Sequence, residues 1–200
     1  MEAGRNGITE NTVKNILFGA GTIHKGLKYT AGSGSDAGSW NFKDTIVGAT
    51  NGGSKLSIVP ELYDVPIDGA NVVVKNLKVK TGEAATMEVN FAELTEEIIK
   101  AATIGETATT SDVSTHNLIK SKADIADGDY WENVAFVGRT LDGKNIIAIL
   151  ENALVTSGLE QEGKNKEGAV GTYTFTCHAD DEADSFDTLP WKIYYPKASV

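Results

Sequence analysis

The sequence predicts a mainly β protein: an antiparallel β-sandwich or barrel with one short packed α-helix and long loops. Three observations carry this expectation. Apolar residues alternate with period 2 in several segments, an Asp-Gly pair stands between two apolar runs, and only one stretch has helix start and stop signals.

In chain order, Leu56 and Ile58 begin the alternation. In Thr86-Met87-Glu88-Val89-Asn90-Phe91, Met87, Val89 and Phe91 share one face while Thr86, Glu88 and Asn90 share the other, because successive strand side chains point to opposite sides of a sheet. The helix is expected over residues 95–102. Thr95 supplies its cap, Glu96 and Glu97 put negative charge at its positive end, and Gly105 suits its stop. So short a helix cannot stand alone in water and must lean on a sheet. Residues 134–137 and 146–150 are near-continuous apolar runs joined across Leu141-Asp142-Gly143-Lys144, a strong hairpin signal. Thr172-Tyr173-Thr174-Phe175-Thr176-Cys177-His178 alternates with Tyr173, Phe175 and Cys177 inward. Trp191, Ile193 and Tyr195 repeat the pattern more briefly. One wet face per strand fits an antiparallel sheet.

The chain has 200 residues, which at roughly 150 per domain reads as a single domain over 1–200. Two stretches break the strand pattern. Residues 30–47, with the small polar run Thr-Ala-Gly-Ser-Gly-Ser-Asp-Ala-Gly-Ser at 30–39, are expected as a flexible loop or arm. Residues 151–171 are expected as a charged loop or extended hairpin. The arm ends in Trp40 and Phe42. Those aromatics either anchor the segment on its own core or form a subunit interface, where aromatic side chains concentrate.

The formal net charge is −10, opposite to the cationic footprint of a protein that reads nucleic-acid sequence. Residues 151–187 hold nine acidic and two basic side chains, a solvated-loop composition. A single cysteine, Cys177, excludes an intramolecular disulfide framework and any multi-cysteine metal site. The start of the chain is polar and no 18-residue apolar run occurs, so a protein without a membrane span, made in a cytoplasm, is expected.

Chemistry finds no foothold. Gly32-Ser33-Gly34-Ser35-Asp36-Ala37 formally matches a dinucleotide-binding fingerprint, but no helix pattern follows it. Asp180, Glu182 and Asp184 occupy positions 1, 3 and 5 of a would-be calcium loop, with Ser185 where glycine and Trp191 where a bidentate glutamate should stand. His24, His116 and His178 are isolated, and Cys177 falls on an inward face. The expectation is no enzyme, no catalytic residue, no metal and no cofactor.

Several segments, in their order, resemble the major tail tube proteins of bacteriophages with long non-contractile tails. They are Asn15-Ile16-Leu17-Phe18-Gly19-Ala20-Gly21-Thr22-Ile23 and Gly48-Ala49-Thr50-Asn51-Gly52-Gly53-Ser54-Lys55-Leu56-Ser57-Ile58-Val59-Pro60-Glu61. Asp64-Val65-Pro66-Ile67-Asp68-Gly69-Ala70, the strand 87–91 with the helix 95–102, and the closing Leu189-Pro190-Trp191-Lys192-Ile193-Tyr194-Tyr195-Pro196 complete the set. The resemblance spans nearly the whole chain; the length of segment 151–171 departs from it. It implies a β-sandwich or barrel whose copies form six-membered rings, stacked into a hollow tube for DNA passage. It also implies tape measure, tail terminator and distal tail proteins as partners, assembly in the bacterial host cytoplasm, and a final place in the virion tail. DNA would pass without sequence-specific binding, along a lumen that is net negative and poor in Lys and Arg. Glu88 is the candidate acidic lumen-facing residue, with Thr172, Thr174 and Thr176 as neutral neighbours. The competing expectation is a monomeric immunoglobulin-like β-sandwich acting as a binding module on a virion or cell surface, although no Cys…Trp…Cys core signature is present.

Overall fold

Alternating apolar residues generate one curled antiparallel sheet that nearly closes on itself. The computed structural model describes residues 7–197 except Ser35, Asp36, Ser111, Lys164, Glu167, Ala183 and Ser185. In chain order the elements are the one-turn helix α1 (Thr12–Asn15), then strands β1 (Leu17–His24), β2 (Tyr29–Thr30), β3 (Ser39–Trp40), β4 (Thr50–Asp64) and β5 (Lys78–Phe91). Helix α2 (Glu96–Thr103) follows, then β6 (Gly105–Thr107), β7 (Ile119–Ser121), β8 (Trp131–Thr140), β9 (Asn145–Val155), β10 (Gly171–Cys177) and β11 (Trp191–Tyr194). The main sheet runs β1-β8-β9-β10-β5-β4, with β11 also paired to β9. Residues 45–47, just before β4, return to the free side of β1: Lys25 N–H donates to Thr45 O at 2.8 Å and Val47 N–H to Ile23 O at 3.0 Å. That return brings the chain leading into one sheet edge alongside the other edge, which makes the sheet barrel-like.

The expected alternation places the core. Ala85, Met87, Val89 and Phe91 of β5 and Tyr173, Phe175 and Cys177 of β10 point inward and are buried. They pack on Trp131, Val134, Leu150, Ala153 and Val155, with Ile98, Ala101 and Ala102 of α2 closing the cluster. The near-continuous apolar runs of β8 and β9 have a different cause. Their second face is also covered: Ala135, Val137, Ile147 and Ile149 form a separate cluster beneath Leu27, Trp40 and Phe42. Strands buried on both faces read as continuous apolar runs. The facing also switches within the hairpin. Trp131 and Val134 share the inner cluster although an odd spacing separates them, and Asn133 between them has φ +49°. Opposite, Leu150 and Ala153 show the same odd spacing across the unpaired Glu151 position.

Thr95 caps α2 as expected, its Oγ1 accepting from Ile98 N–H at 3.2 Å. The stop differs. Ile104, not Gly105, takes the left-handed position (φ +49°, ψ +47°), and Gly105 already belongs to β6. Close approach is what requires glycine there: a Cβ would lie 2.8 Å from Thr103 Oγ1 and 3.2 Å from Lys120 O. The extra helix α1 buries no residue.

Residues 30–47 carry β3, a 3-10 turn over Phe42–Asp44 and the return to β1, so much of the expected arm is pinned to the barrel. Of segment 151–171, residues 151–155 belong to β9, Gly171 opens β10, and the residues between join the two strands as the connection of an antiparallel pair. Beyond Trp191 the expected inward face of the last strand fails. Ile193 is 47% and Tyr195 57% exposed, because β11 runs along β9 past the inner cluster.

Candidate functional site

The longest hairpin is β4–β5, whose pairing runs from Thr50 opposite Phe91, through a register shift before Ser54, to Asp64 opposite Lys78. Strand β10 pairs only with residues 86–91 of β5. The remaining seven or so residue pairs form a two-stranded ribbon extending roughly 24 Å beyond the sheet, at about 3.4 Å per residue. Pro60 is tolerated because β4 is an edge strand with no neighbour to receive its missing N–H. A bulge at Thr81, between the pairs Glu61–Gly82 and Leu62–Lys80, adds twist to the ribbon. Lys78 pairs with Asp64 at 2.8 Å, and Lys80 pairs with Glu83. Glu83 also accepts from Leu189 N–H at 2.6 Å, tying the ribbon base to the segment before β11. These donors, led by the Lys80 ammonium, hold its carboxyl below the ordinary value.

The far end of the ribbon is apolar and uncovered. Leu62 and Tyr63 are more than half exposed, and in the connecting loop Ile67 is 53%, Val72 76% and Val73 72% exposed. Val72 and Val73 lie in the irregular loop and leave neighbouring apolar side chains open to solvent. A shallow hollow of about 400 Å³ lies at this tip between Val65, Ile67, Val72 and Leu77.

A second apolar surface lies on the outside of β8–β9. Tyr29 stands 5.3 Å and Tyr194 5.0 Å from Trp40, ring centre to ring centre, and Trp40 stacks near Phe42 at 6.2 Å. With Ile147, Tyr195 and Pro196 they wall a hollow of about 400 Å³. Across Phe42 and Asn145 it continues into another of about 530 Å³, lined by Phe18, His24, Lys43, Ile46, Val137 and Arg139. Asn41 holds the aromatic bracket in place: its Oδ1 accepts from Lys28 N–H at 2.7 Å and its Nδ2 donates to Gly26 O at 3.2 Å. Trp40 and Phe42, expected either to anchor the segment on its own core or to form a subunit interface, are half-buried on their own chain, with their remaining surface forming the cleft.

The third surface is polar. Glu88 is exposed on the outer face of β5, opposite Lys55 of β4 and Thr174 of β10. Ser57, Thr86, Asn90, Thr172 and Thr176 share that face by register. Thr172 Oγ1 donates to Asn90 Oδ1 at 2.6 Å, and the Thr156 and Thr176 hydroxyls meet at 2.8 Å. The wall is rich in hydroxyls, and Lys55 stands across from its carboxylate.

Other candidates come apart. Cys177 is buried, and desolvation pushes its thiol up to about 11, the reverse of an activated nucleophile. His178 faces away from it and lies edge-on to Tyr130 at 5.4 Å. Asp180 accepts from Glu182 N–H at 3.1 Å, closing a local turn. Among the described residues no three His, Cys, Asp or Glu side chains are placed to hold a metal ion, and no helix is long and apolar enough to cross a membrane. Ser35 and Asp36 of the glycine-rich motif, Lys164 and Glu167 of the acidic stretch, and Ser185 of the would-be calcium loop lie outside the described residues.

The fold defines the chain as an antiparallel β-barrel-like protein with one packed helix and a projecting hairpin. No protein-family model matches it, and no curated protein matches it in sequence.

Proposed function

We propose that the chain is a structural subunit that assembles with copies of itself into stacked six-membered rings, forming a tube in a phage tail through which DNA passes. The observation that carries this reading is the projecting β4–β5 ribbon. Its Leu62, Tyr63, Ile67, Val72 and Val73 expose large apolar side chains near one end of an otherwise acidic chain. Soluble monomers rarely leave such a patch open; patches of this kind mark interaction sites. The outer edge of β4, terminal in the sheet order, has no strand partner among the described residues, and on either side of Pro60 it offers backbone groups that a neighbouring subunit's strand would satisfy. The resemblance in residues 48–61, 64–70 and 189–196 supplies the tube, the virion location, and the tape measure, terminator and distal tail partners.

In this reading the hydroxyl-rich wall around Glu88 faces the lumen. Duplex DNA carries about one negative charge per 1.7 Å, and a cationic wall would bind it by releasing counterions. Six copies at −10 each give a ring of about −60, a field that keeps DNA off the wall. Size-exclusion chromatography with negative-stain electron microscopy tests the reading. Rings or tubes are expected. A 21.2 kDa monomer at every concentration would overturn it and favour the monomeric immunoglobulin-like binding module.

A further inference from the structure

We propose that the apolar tip of the β4–β5 ribbon seats in the aromatic cleft of a second copy of this chain, with Ile67, Val72 and Val73 against Tyr29, Trp40, Phe42 and Tyr194. The proposal rests on the self-assembly reading and names the contact that drives it.

Each copy offers one tip and one cleft. Sheet order sets them on opposite walls: β4 and β5 end the sheet on one side, and β8–β9, whose outer face bears the cleft, lie across the barrel beyond β10. A tip therefore meets a cleft only on another copy.

Charge selects this pairing over cleft against cleft. The cleft's second arm is lined by Lys43 and Arg139 and, among the described residues, by no carboxylate; facing its own copy, it would set cation against cation. The tip loop carries Asp68 and Lys75, and Lys78 at its base is engaged by Asp64. With one charge of each sign the tip loop is formally neutral, so it meets the Lys43 and Arg139 arm without the like-charge repulsion that a second cleft would bring. The aromatic hollow of about 400 Å³ holds on the order of ten waters at ~30 Å³ each, and valine side chains displace them from apolar walls with a gain in free energy. Val72 and Val73 are 76% and 72% exposed, so nearly all of their side-chain surface is left for a partner to cover.

Tip and cleft are different surfaces, so the contact is heterologous. Such contacts repeat from copy to copy, closing into rings or continuing as stacks rather than stopping at a dimer.

The test is hydroxyl-radical footprinting of the full chain as assemblies and as Val73→Asp subunits, read at Tyr29, Trp40, Tyr194 and Tyr195. Val73 lies in an exposed loop, so V73D keeps the wild-type melting temperature. It raises the concentration needed for assembly by at least about tenfold, as loss of a central apolar anchor does. The four aromatics label several-fold more slowly in wild-type assemblies than in V73D subunits. Assemblies in which they label equally fast, or V73D that assembles like wild type, overturn the tip-in-cleft contact and leave the tube reading standing. A wild-type chain that never assembles overturns both.

Discussion

Thr45 binds both the histidine at the end of β1 and the backbone of the aromatic bracket. Its hydroxyl donates to Asn41 O at 2.9 Å, and the same oxygen lies 2.9 Å from His24 Nδ1. With its proton committed to Asn41, Thr45 accepts from Nδ1–H, which leaves Nε2 to accept from the Thr22 hydroxyl at 2.8 Å. The neutral imidazole is thereby satisfied at both nitrogens. It lies edge-on to Phe42 at 5.7 Å, so it ties the bracket to the barrel.

Acid should loosen this tie before it affects the rest of the fold. Burial lowers the pKa of His24 from its ordinary 6.5, so the unfolded chain takes up the proton first. Stability is unchanged above 6.5. It falls as the pH drops from 6.5 towards the lowered folded value, with a slope of at most about 1.4 kcal/mol per pH unit. The carboxylates Glu83, Glu96 and Asp142 are lowered from 4.5, 4.5 and 3.8 respectively, so their contribution is lost only in a more acidic window. Thermal melts from pH 7.5 to 5 should show a decline that His24→Gln flattens. An identical decline in H24Q would assign it elsewhere.

Trp40 should matter to the single copy as well as to any assembly. Its ring covers Ile147 and Ile149 on the outer face of β9, so Trp40→Ala removes packing that the monomer itself uses. For a half-buried ring the expected cost is about 2–3 kcal/mol, below the full burial range. Urea denaturation of a dilute, monomeric sample measures it. An unchanged midpoint would mean that the bracket lies free in solution.

Cys177 should be silent in the native state. A thiol at about 11 instead of 9.0 holds about a hundredfold less thiolate near neutrality, and burial adds a steric barrier. Alkylation with iodoacetamide at pH 7.5 should proceed only as fast as the chain opens, then go to completion in denaturant. Prompt labelling of folded protein would contradict the inward placement of β10.

The sequence was most legible where one physical signal dominated. Met87, Val89 and Phe91 alternate cleanly because β5 has one dry face there, and Tyr173, Phe175 and Cys177 do so on the neighbouring strand. Thr95 marks the start of α2, but its end rests on Ile104 in a left-handed conformation that sequence preference assigns to glycine. The valines at 72–74 gave no warning. A short apolar run reads as a buried strand, and their exposure comes from the ribbon's reach beyond β10, which only the pairing register determines. The bracket was similarly hidden, since Trp40 and Phe42 follow a polar run while the faces they cover belong to residues 135–149, a hundred positions away.

The last prediction concerns the polar wall. Lys55 and Glu88 are opposite one another on β4 and β5, so that stretch of wall is formally neutral while the chain as a whole is at −10. Glu88 is exposed and outside both apolar surfaces, so Glu88→Lys should leave folding and assembly intact. It would place two like charges directly across a strand pair, costing up to about 1 kcal/mol. Its effect on DNA should be larger. Each copy in a tube would present two cations on the same face, and every neutralised phosphate releases counterions, so retention should fall steeply with salt, by a log–log slope of about −0.9 per phosphate contacted. Fluorescence anisotropy of a labelled duplex, with assembled protein at 50 and 200 mM salt, reads this directly. Wild-type assemblies should leave the duplex tumbling freely, and E88K assemblies should hold it at the lower salt and release it at the higher. Equal retention by E88K and by a charge reversal at an exposed site in the β9–β10 connection, Glu160→Lys, would show that net charge, not this wall, governs contact with DNA.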